Sequence, residues 1–186
     1  MPRPRVHDEA VRRRLLETAS AAVAEHGTAG LSLRSVAAAA GTTTAAVYAL
    51  FGGRDELVQA VVDEGFGRFA AHLAAVDRTD DPAADLLALG VAYRANAREN
   101  PHFYRVMFAG RPEGVPPDRA EPTFDVLVAG VARATGSTPE EATVRAGRLW
   151  GYVHGLVMLE LGGFLPHDGD EAYAAALWAG RSIIRD

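Results

Sequence analysis

LSLRSVAAAAGTTTAAVYALF, Leu31 to Phe51, reads as two short helices joined by a tight corner. The Ser32 hydroxyl is placed to accept a bond from a free backbone N–H in the first turn of a helix running to about Ala40. Gly41 supplies the conformation that stops that helix. Thr42 and Thr43 follow at once as start signals for a second helix holding Ala45, Val47, Tyr48 and Leu50, leaving a gap of about three residues. This spacing predicts a helix-turn-helix, the geometry that sets a second helix into a DNA major groove. By itself the pair is also compatible with an alanine-rich corner of a larger bundle, because small residues occur wherever helices cross.

The flanking residues carry the reading further. Upstream stands LLETASAAVAEHG (Leu15 to Gly27); VYALF (Val47 to Phe51) closes the second helix, and Arg54 follows three positions later ahead of DEL. With the LSLRSVAAAAG stretch, and in this order from about Val11 to Val61, these pieces resemble the N-terminal DNA-binding domain of TetR-family transcriptional repressors. The resemblance implies that Ser32 and Arg34 meet phosphate or base edges from the first helix and that Thr43 caps the recognition helix. It places Thr44 and Ala46 at base edges and Tyr48 and Arg54 at phosphates. The copy also departs from the family pattern. Ala45 and Ala46 offer methyl groups only, and Ala49 and Leu50 stand where bulkier polar residues are usual, which leaves Arg34 and Thr44 with most direct readout.

Composition bounds the rest. A chain of 186 residues with 48% apolar content buries a sizeable core in one or two domains. Cysteine is absent, so there is no disulfide framework, thiolate metal site or cysteine nucleophile, which suits a reducing cytoplasm. MPRPRVHDEA has two arginines but no apolar run, unlike a signal peptide. The longest greasy stretch, Leu149 to Leu165, is broken by His154 and Glu160, which argues against a membrane span. The expectation is a soluble cytoplasmic protein without a membrane partner. Net charge is -5, yet residues 1–55 carry seven Arg against five acids (+2) and residues 56–186 twelve Arg against nineteen acids (-7). The positive end is the end with the helix-turn-helix, where a phosphate partner would sit.

In chain order, residues 1–7 read as a flexible arm, in which Arg3 and Arg5 serve either as a solvated tail or as minor-groove contacts. Residues 8–53 form the helix-turn-helix domain, opened by an amphipathic helix from Asp8 to about His26 on Val11, Leu15, Ala19, Ala22 and Val23. From Asp55 the positions Leu57, Val58, Val61, Val62, Phe66, Phe69, Leu73 and Val76 keep helical spacing for about six turns. Helices are then expected from Pro82 to about Asn100, over Pro101–Phe108, from Asp118 to about Thr135, from STPEE (Ser137 to Glu141) to about Leu161, and over Asp170–Ile184. Residues 109–117, with three prolines and two glycines, read as a loop or a lid. The fold class is therefore all-α with about nine helices, an N-terminal three-helix domain and a C-terminal helical domain over residues 54–186.

Within the second half, Gly147, Gly151 and Gly155 fall four apart on one side of a helix. Each costs about 1 kcal/mol relative to alanine, so the stripe calls for close approach of another backbone, within the chain or across a two-fold axis. Trp150, then His154 to Leu156, then Leu159 to Leu161 resemble a C-terminal domain common among TetR-family regulators. That resemblance implies a dimer built on the last two helices and an inducer cavity in the body. Phe103, Met107, Phe124, Trp150 and His154 are its candidate wall, suited to an apolar or aromatic small molecule, with His154 either orienting the ligand or serving as a core histidine. Pairing two readers across a two-fold axis also suits a palindromic operator in double-stranded DNA.

The implied function is a ligand-responsive, homodimeric transcriptional regulator, a repressor released from its operator by a small molecule. The alternative is a dimeric small-molecule-binding helical protein with weak or no DNA binding. An enzyme is not expected: there is no nucleophile elbow, no His pair at i, i+4 and no phosphate-binding glycine loop, and His102, His154 and His167 are scattered. No cofactor or metal is expected.

Overall fold

The structure, a computed structural model, describes residues 5–108, 121–165 and 169–184. Arg3 and the segment 109–117 lie outside the described residues. Nine α-helices occur among the described residues: α1 (Arg5–His26), α2 (Leu33–Ala39), α3 (Thr44–Phe51), α4 (Arg54–Ala74), α5 (Pro82–Glu99), α6 (Pro101–Phe108), α7 (Glu121–Thr135), α8 (Pro139–Leu161) and α9 (Asp170–Ala179), followed by a 3-10 turn over Gly180–Ile184. No helix among them is long and apolar enough to cross a membrane. The all-α expectation holds, and most boundaries fall within a residue or two of the sequence reading.

Two boundaries differ. α1 begins at Arg5, three residues before the expected Asp8, so residues 5–7 belong to the helix and not to an arm. A proline disturbs a helix from within, not from the position before it, and Asp8 still lies in the first turn. The expected single helix over 170–184 ends as an α-helix at Ala179 and tightens to 3-10 from Gly180. A Cβ at Gly180 would stand 2.4 Å from the Tyr152 ring, so the chain presses onto that ring there. The Tyr152 hydroxyl donates to the Ala176 carbonyl at 2.9 Å, fixing α9 to α8.

The chain packs as two compact units. The first comprises residues up to Gly67 together with α6 from His102 onward, and the second comprises Arg68–Pro101 and the described residues after α6. In the first unit, Leu15, Leu16, Ala19 and Val23 of α1 bury against Val36 and Ala37 of α2, Val47 of α3 and the Leu57, Val58, Val61 and Val62 face of α4. Phe103 and Val106 of α6 complete this core.

In the second unit α5, α7, α8 and α9 surround a largely apolar interior that holds two ionic clusters. Arg94 of α5 donates from Nε and a terminal nitrogen to both Glu160 oxygens of α8, each at 2.7 Å, with both side chains about 95% out of solvent. Its other terminal nitrogen reaches Asp170, at the start of α9, at 2.7 Å, and its guanidinium lies 4.7 Å over the Tyr173 ring. The second cluster joins Asp85 of α5 to the Thr79 hydroxyl at 2.6 Å and to Arg133 of α7. Thr79 first, and then Arg133, hold the Asp85 carboxyl down at about 2.

A buried ion pair stripped of one member leaves an uncompensated charge. Glu160→Gln is therefore expected to lower unfolding free energy by about 3 kcal/mol, the low end of the usual range because Asp170 remains beside Arg94. Urea denaturation followed by circular dichroism reads this; a midpoint unchanged from the parent chain would show that the pair contributes nothing.

Candidate nucleic-acid interface

The local chemistry of the α2–α3 corner explains its shape. Ser32, in extended conformation, accepts the Ser35 N–H at 3.3 Å and opens α2. At the far end the Gly41 N–H donates to the Ala38 carbonyl at 3.1 Å and the Thr42 N–H to the Ala37 carbonyl at 2.9 Å. These two bonds form a Schellman motif, which requires a left-handed residue after the cap, and Gly41 stands there with φ +65°. One residue beyond Thr42, the Thr43 hydroxyl accepts the Ala46 N–H at 3.2 Å and opens α3. Neither helix has an acid in its first turn, so nothing there repels an anion.

The nominated residues fall as follows. Ser32 and Arg34 are exposed on the first turn of α2, and Thr43, Thr44 and Tyr48 are exposed along α3, with Tyr48 at 58%. Ala46 is half-buried and its N–H is taken by the cap, whereas Ala45 and Ala49 lie open. Arg54 is engaged inside the unit: its Nε donates to the Leu31 carbonyl at 3.1 Å and a terminal nitrogen donates to the Thr28 carbonyl. Two more arginines of this end are similarly committed. The Arg14 Nε donates to the Ala40 carbonyl at the end of α2 at 3.1 Å, and the Arg12 guanidinium lies 5.6 Å over the Phe51 ring. Arg13 and Arg34 are exposed.

Of the residues nominated for a ligand wall, Phe103 and Met107 lie in the first unit. Phe103 is 2% exposed in its core, and Met107 packs where a Cβ on Gly65 would stand, 2.7 Å from the sulfur. Phe124, Trp150 and His154 come together in the second unit. The Phe124 and Trp150 rings are 6.0 Å apart, and the Trp150 and His154 rings 6.2 Å apart. Tyr93, which was not nominated for the wall, joins them. Its hydroxyl receives the Trp150 indole N–H at 3.3 Å and lies 2.9 Å from His154 Nδ1. With the indole donating to the Tyr93 oxygen, the Tyr93 O–H is left to donate to Nδ1, which suits a neutral His154. Burial pushes the His154 pKa below its ordinary 6.5.

Gly147, Gly151 and Gly155 meet nothing: a Cβ added at any of them finds no described atom within 4 Å. Gly90 of α5 is the opposite case, since its Cβ would stand 2.7 Å from a Leu177 methyl of α9. Close approach within the described chain therefore accounts for Gly90 and not for the α8 stripe. Around that stripe Val144, Trp150, Met158 and Leu159 of α8 are exposed. Among the described residues no group of three or more His, Cys, Asp or Glu is arranged to hold a metal.

Residues 15–61 match the family described as bacterial regulatory proteins, tetR family, and residues 86–179 match the tetracyclin repressor-like C-terminal domain. The HTH-type transcriptional regulator Rv1816 of Mycobacterium tuberculosis is 31% identical over 140 residues, which are 67% of this chain and 58% of that protein. Among solved structures, that of the regulatory protein SCO4313 is 27% identical over the full length of both chains, with a TM-score of 0.73. AibR, crystallised with isovaleryl coenzyme A and operator DNA, shares the fold at 20% identity, a TM-score of 0.69, and 90% and 95% coverage of the two chains.

A histidine whose folded-state pKa is depressed favours the neutral form when folded. As pH falls below about 6.5 the unfolded chain takes up the proton first, and stability is lost with falling pH. The melting temperature of the parent chain is expected to fall more steeply between about pH 7.5 and 5.5 than that of His154→Gln. Parallel melting curves across that window would remove His154 from the account.

Proposed function

The chain belongs to the TetR family of bacterial regulatory proteins, and from that membership we propose that it is a cytoplasmic, homodimeric, ligand-responsive repressor that binds a palindromic DNA operator. The observation that carries the DNA-binding part is the outward α3, capped by Thr43 and presenting Thr44 and an exposed Tyr48. Ser32, Arg34 and Tyr48 contact phosphates or groove edges, and Thr44 faces the bases, while half-buried Ala46 supports the helix from behind. Arg54 acts indirectly, by holding the backbone of residues 28–31 that leads into α2.

Two copies pair through the open α8 face marked by Gly147, Gly151 and Gly155, where side chains are absent and large apolar groups flank the gap. Two-fold pairing repeats α3 at about one helical turn of DNA, roughly 34 Å. The body takes an apolar or aromatic small molecule against Phe124, Trp150 and His154, with Tyr93 setting the orientation of the histidine ring. AibR, crystallised with isovaleryl coenzyme A and operator DNA, supports a fold that takes both a small molecule and DNA. Ligand lowers operator affinity by its own preference for the form that fits DNA poorly.

A second reading, a dimeric small-molecule-binding protein with weak or no DNA binding, is favoured by one observation: Arg12, Arg14 and Arg54 are all engaged within the first unit.

Fluorescence anisotropy with the DNA upstream of its own gene separates the two readings. Arg34→Ala and Tyr48→Ala are each expected to weaken binding at least about tenfold, about 1.4 kcal/mol, in the range of a lost charged hydrogen bond. Arg34→Ala is also expected to flatten the salt dependence by roughly 0.9 per phosphate lost. Undiminished affinity in folded variants would refute the interface, and absence of binding by the parent chain would favour the second reading.

The dimer face has its own test. Because a side chain at Gly151 meets nothing in the described chain, Gly151→Arg is expected to fold at least as well as the parent, gaining helix propensity worth up to about 1 kcal/mol. Analytical ultracentrifugation is expected to show a dimer for the parent chain and a monomer for the variant. A Gly151→Arg dimer as tight as the parent's would place the interface elsewhere.

A further inference from the structure

The outward face of α3 has an unusual chemical content for a helix that reads DNA. Thr44, Ala45, Tyr48 and Ala49 are its exposed residues, and the whole helix, TAAVYALF, contains no Arg, Lys, Asn, Gln, Asp or Glu. Ser and Thr apart, those are the side chains that recognise base pairs by hydrogen bonds: Arg or Lys on guanine, Asn or Gln on adenine, Glu or Asp on cytosine. The polar atoms on the face are two hydroxyls, of Thr44 and Tyr48. What the face offers in quantity is methyl: Ala45 Cβ, Ala49 Cβ and Thr44 Cγ2.

One apolar group marks the edge of a base pair in the major groove, the 5-methyl of thymine. We propose that α3 selects its sites through pyrimidine 5-methyl groups, packing Ala45, Ala49 and the Thr44 methyl against thymines. The proposal rests on the DNA-binding reading above and says which feature of the duplex is read. Ala45 and Ala49 are one turn apart, about 6 Å along the helix axis at about 1.5 Å per residue. That distance spans nearly two base-pair steps of about 3.4 Å, so the two methyls address thymines at separate steps of one half-site.

Small side chains serve this contact in a second way. A helix whose outward positions are alanines brings its backbone closer to the groove floor than one bearing long polar chains, and methyl contact requires closeness because dispersion fades within an ångström of optimal separation. Ser32, Arg34 and Tyr48 set the register on phosphates, and the alanines then sort sequences by where methyl groups stand. Ala46 is not part of the reading surface, being half-buried with its N–H bonded to Thr43.

The test begins with the full chain selecting duplexes from a random-sequence pool. Selected sites are resynthesised with deoxyuridine for thymidine, which deletes the methyl and keeps every hydrogen-bonding group. In a second set each contacted T·A pair is replaced by C·G or by 5-methyl-C·G, which changes the hydrogen-bonding groups and either omits or keeps the methyl. Anisotropy titration is expected to show a loss of about fourfold per deleted methyl, equivalent to about 0.8 kcal/mol for one such group. It is also expected to show 5-methyl-C·G binding more tightly than C·G at the same positions. Full affinity for the deoxyuridine duplexes, or 5-methyl-C·G no better than C·G, would overturn methyl reading while leaving DNA binding intact. Enrichment of no duplex at all would overturn the DNA-binding reading itself, and methyl reading with it.

Discussion

Three residues between Ala40 and Thr44 close one helix and open the next, and the first unit depends on that economy. Gly41 and Thr42 return their N–H groups to the end of α2 while Thr43 turns its hydroxyl to the start of α3. Because both helices are short, seven and eight residues, neither would persist alone. Their stability comes from the caps and from the single row of Val36, Ala37, Ala40 and Val47 pressed into α1 and α4. A left-handed residue at the corner is needed for the row to face inward, and the face left outward is the one that carries Thr44, Ala45, Tyr48 and Ala49.

The arginines show how a charge count and a binding surface part company. The surplus at residues 1–55 suggests a phosphate partner, yet Arg14 and Arg54 bond backbone carbonyls at the two ends of the α2 region and Arg12 covers an aromatic ring. Carbonyls left over at helix ends and loops are acceptors without partners, and a guanidinium satisfies two of them at once. Arg54 was assigned to phosphate by its place in a motif. The same place, just inside α4, sets it against the Thr28 and Leu31 carbonyls, where it braces the backbone that leads into α2.

What was legible in the sequence was local. The Ser32 and Thr43 caps, the Gly41 stop, and the STPEE and Pro82 helix starts each depend on residues within four positions of one another, and all appear where expected. The ionic interior was not legible, because Arg94 and Glu160 lie 66 positions apart and each, taken singly, looks like a surface residue on a helix. One signal did exist: Glu160 interrupts a run of apolar residues, where an acid requires a partner. The nominated ligand wall divides between the two units for a related reason. Aromatic spacing names residues that are buried, and it does not say in which core, so Phe103 and Met107 fell to the first unit while Tyr93 joined Trp150 and His154 in the second.

The glycines of α8 and the Arg94 cluster explain each other when taken as two sides of one helix. α8 turns Ala142, Ala146, Leu149, Val153, Val157 and Glu160 inward, and at Glu160 the inward face ends on a buried ion pair that also catches the first residue of α9 through Asp170. That bond, with the Tyr152 hydroxyl on Ala176 near the far end of α9, fixes α9 against α8 at both ends. The opposite side of α8 has Gly147, Gly151 and Gly155 with no neighbour among the described residues, flanked by exposed Val144, Met158 and Leu159. A helix held only by apolar contact would tend to roll so as to bury those groups within its own chain. The charged pair forbids the roll, because rotating Glu160 away would strand Arg94. Polar chemistry on one side thus keeps an apolar, side-chain-poor surface on the other.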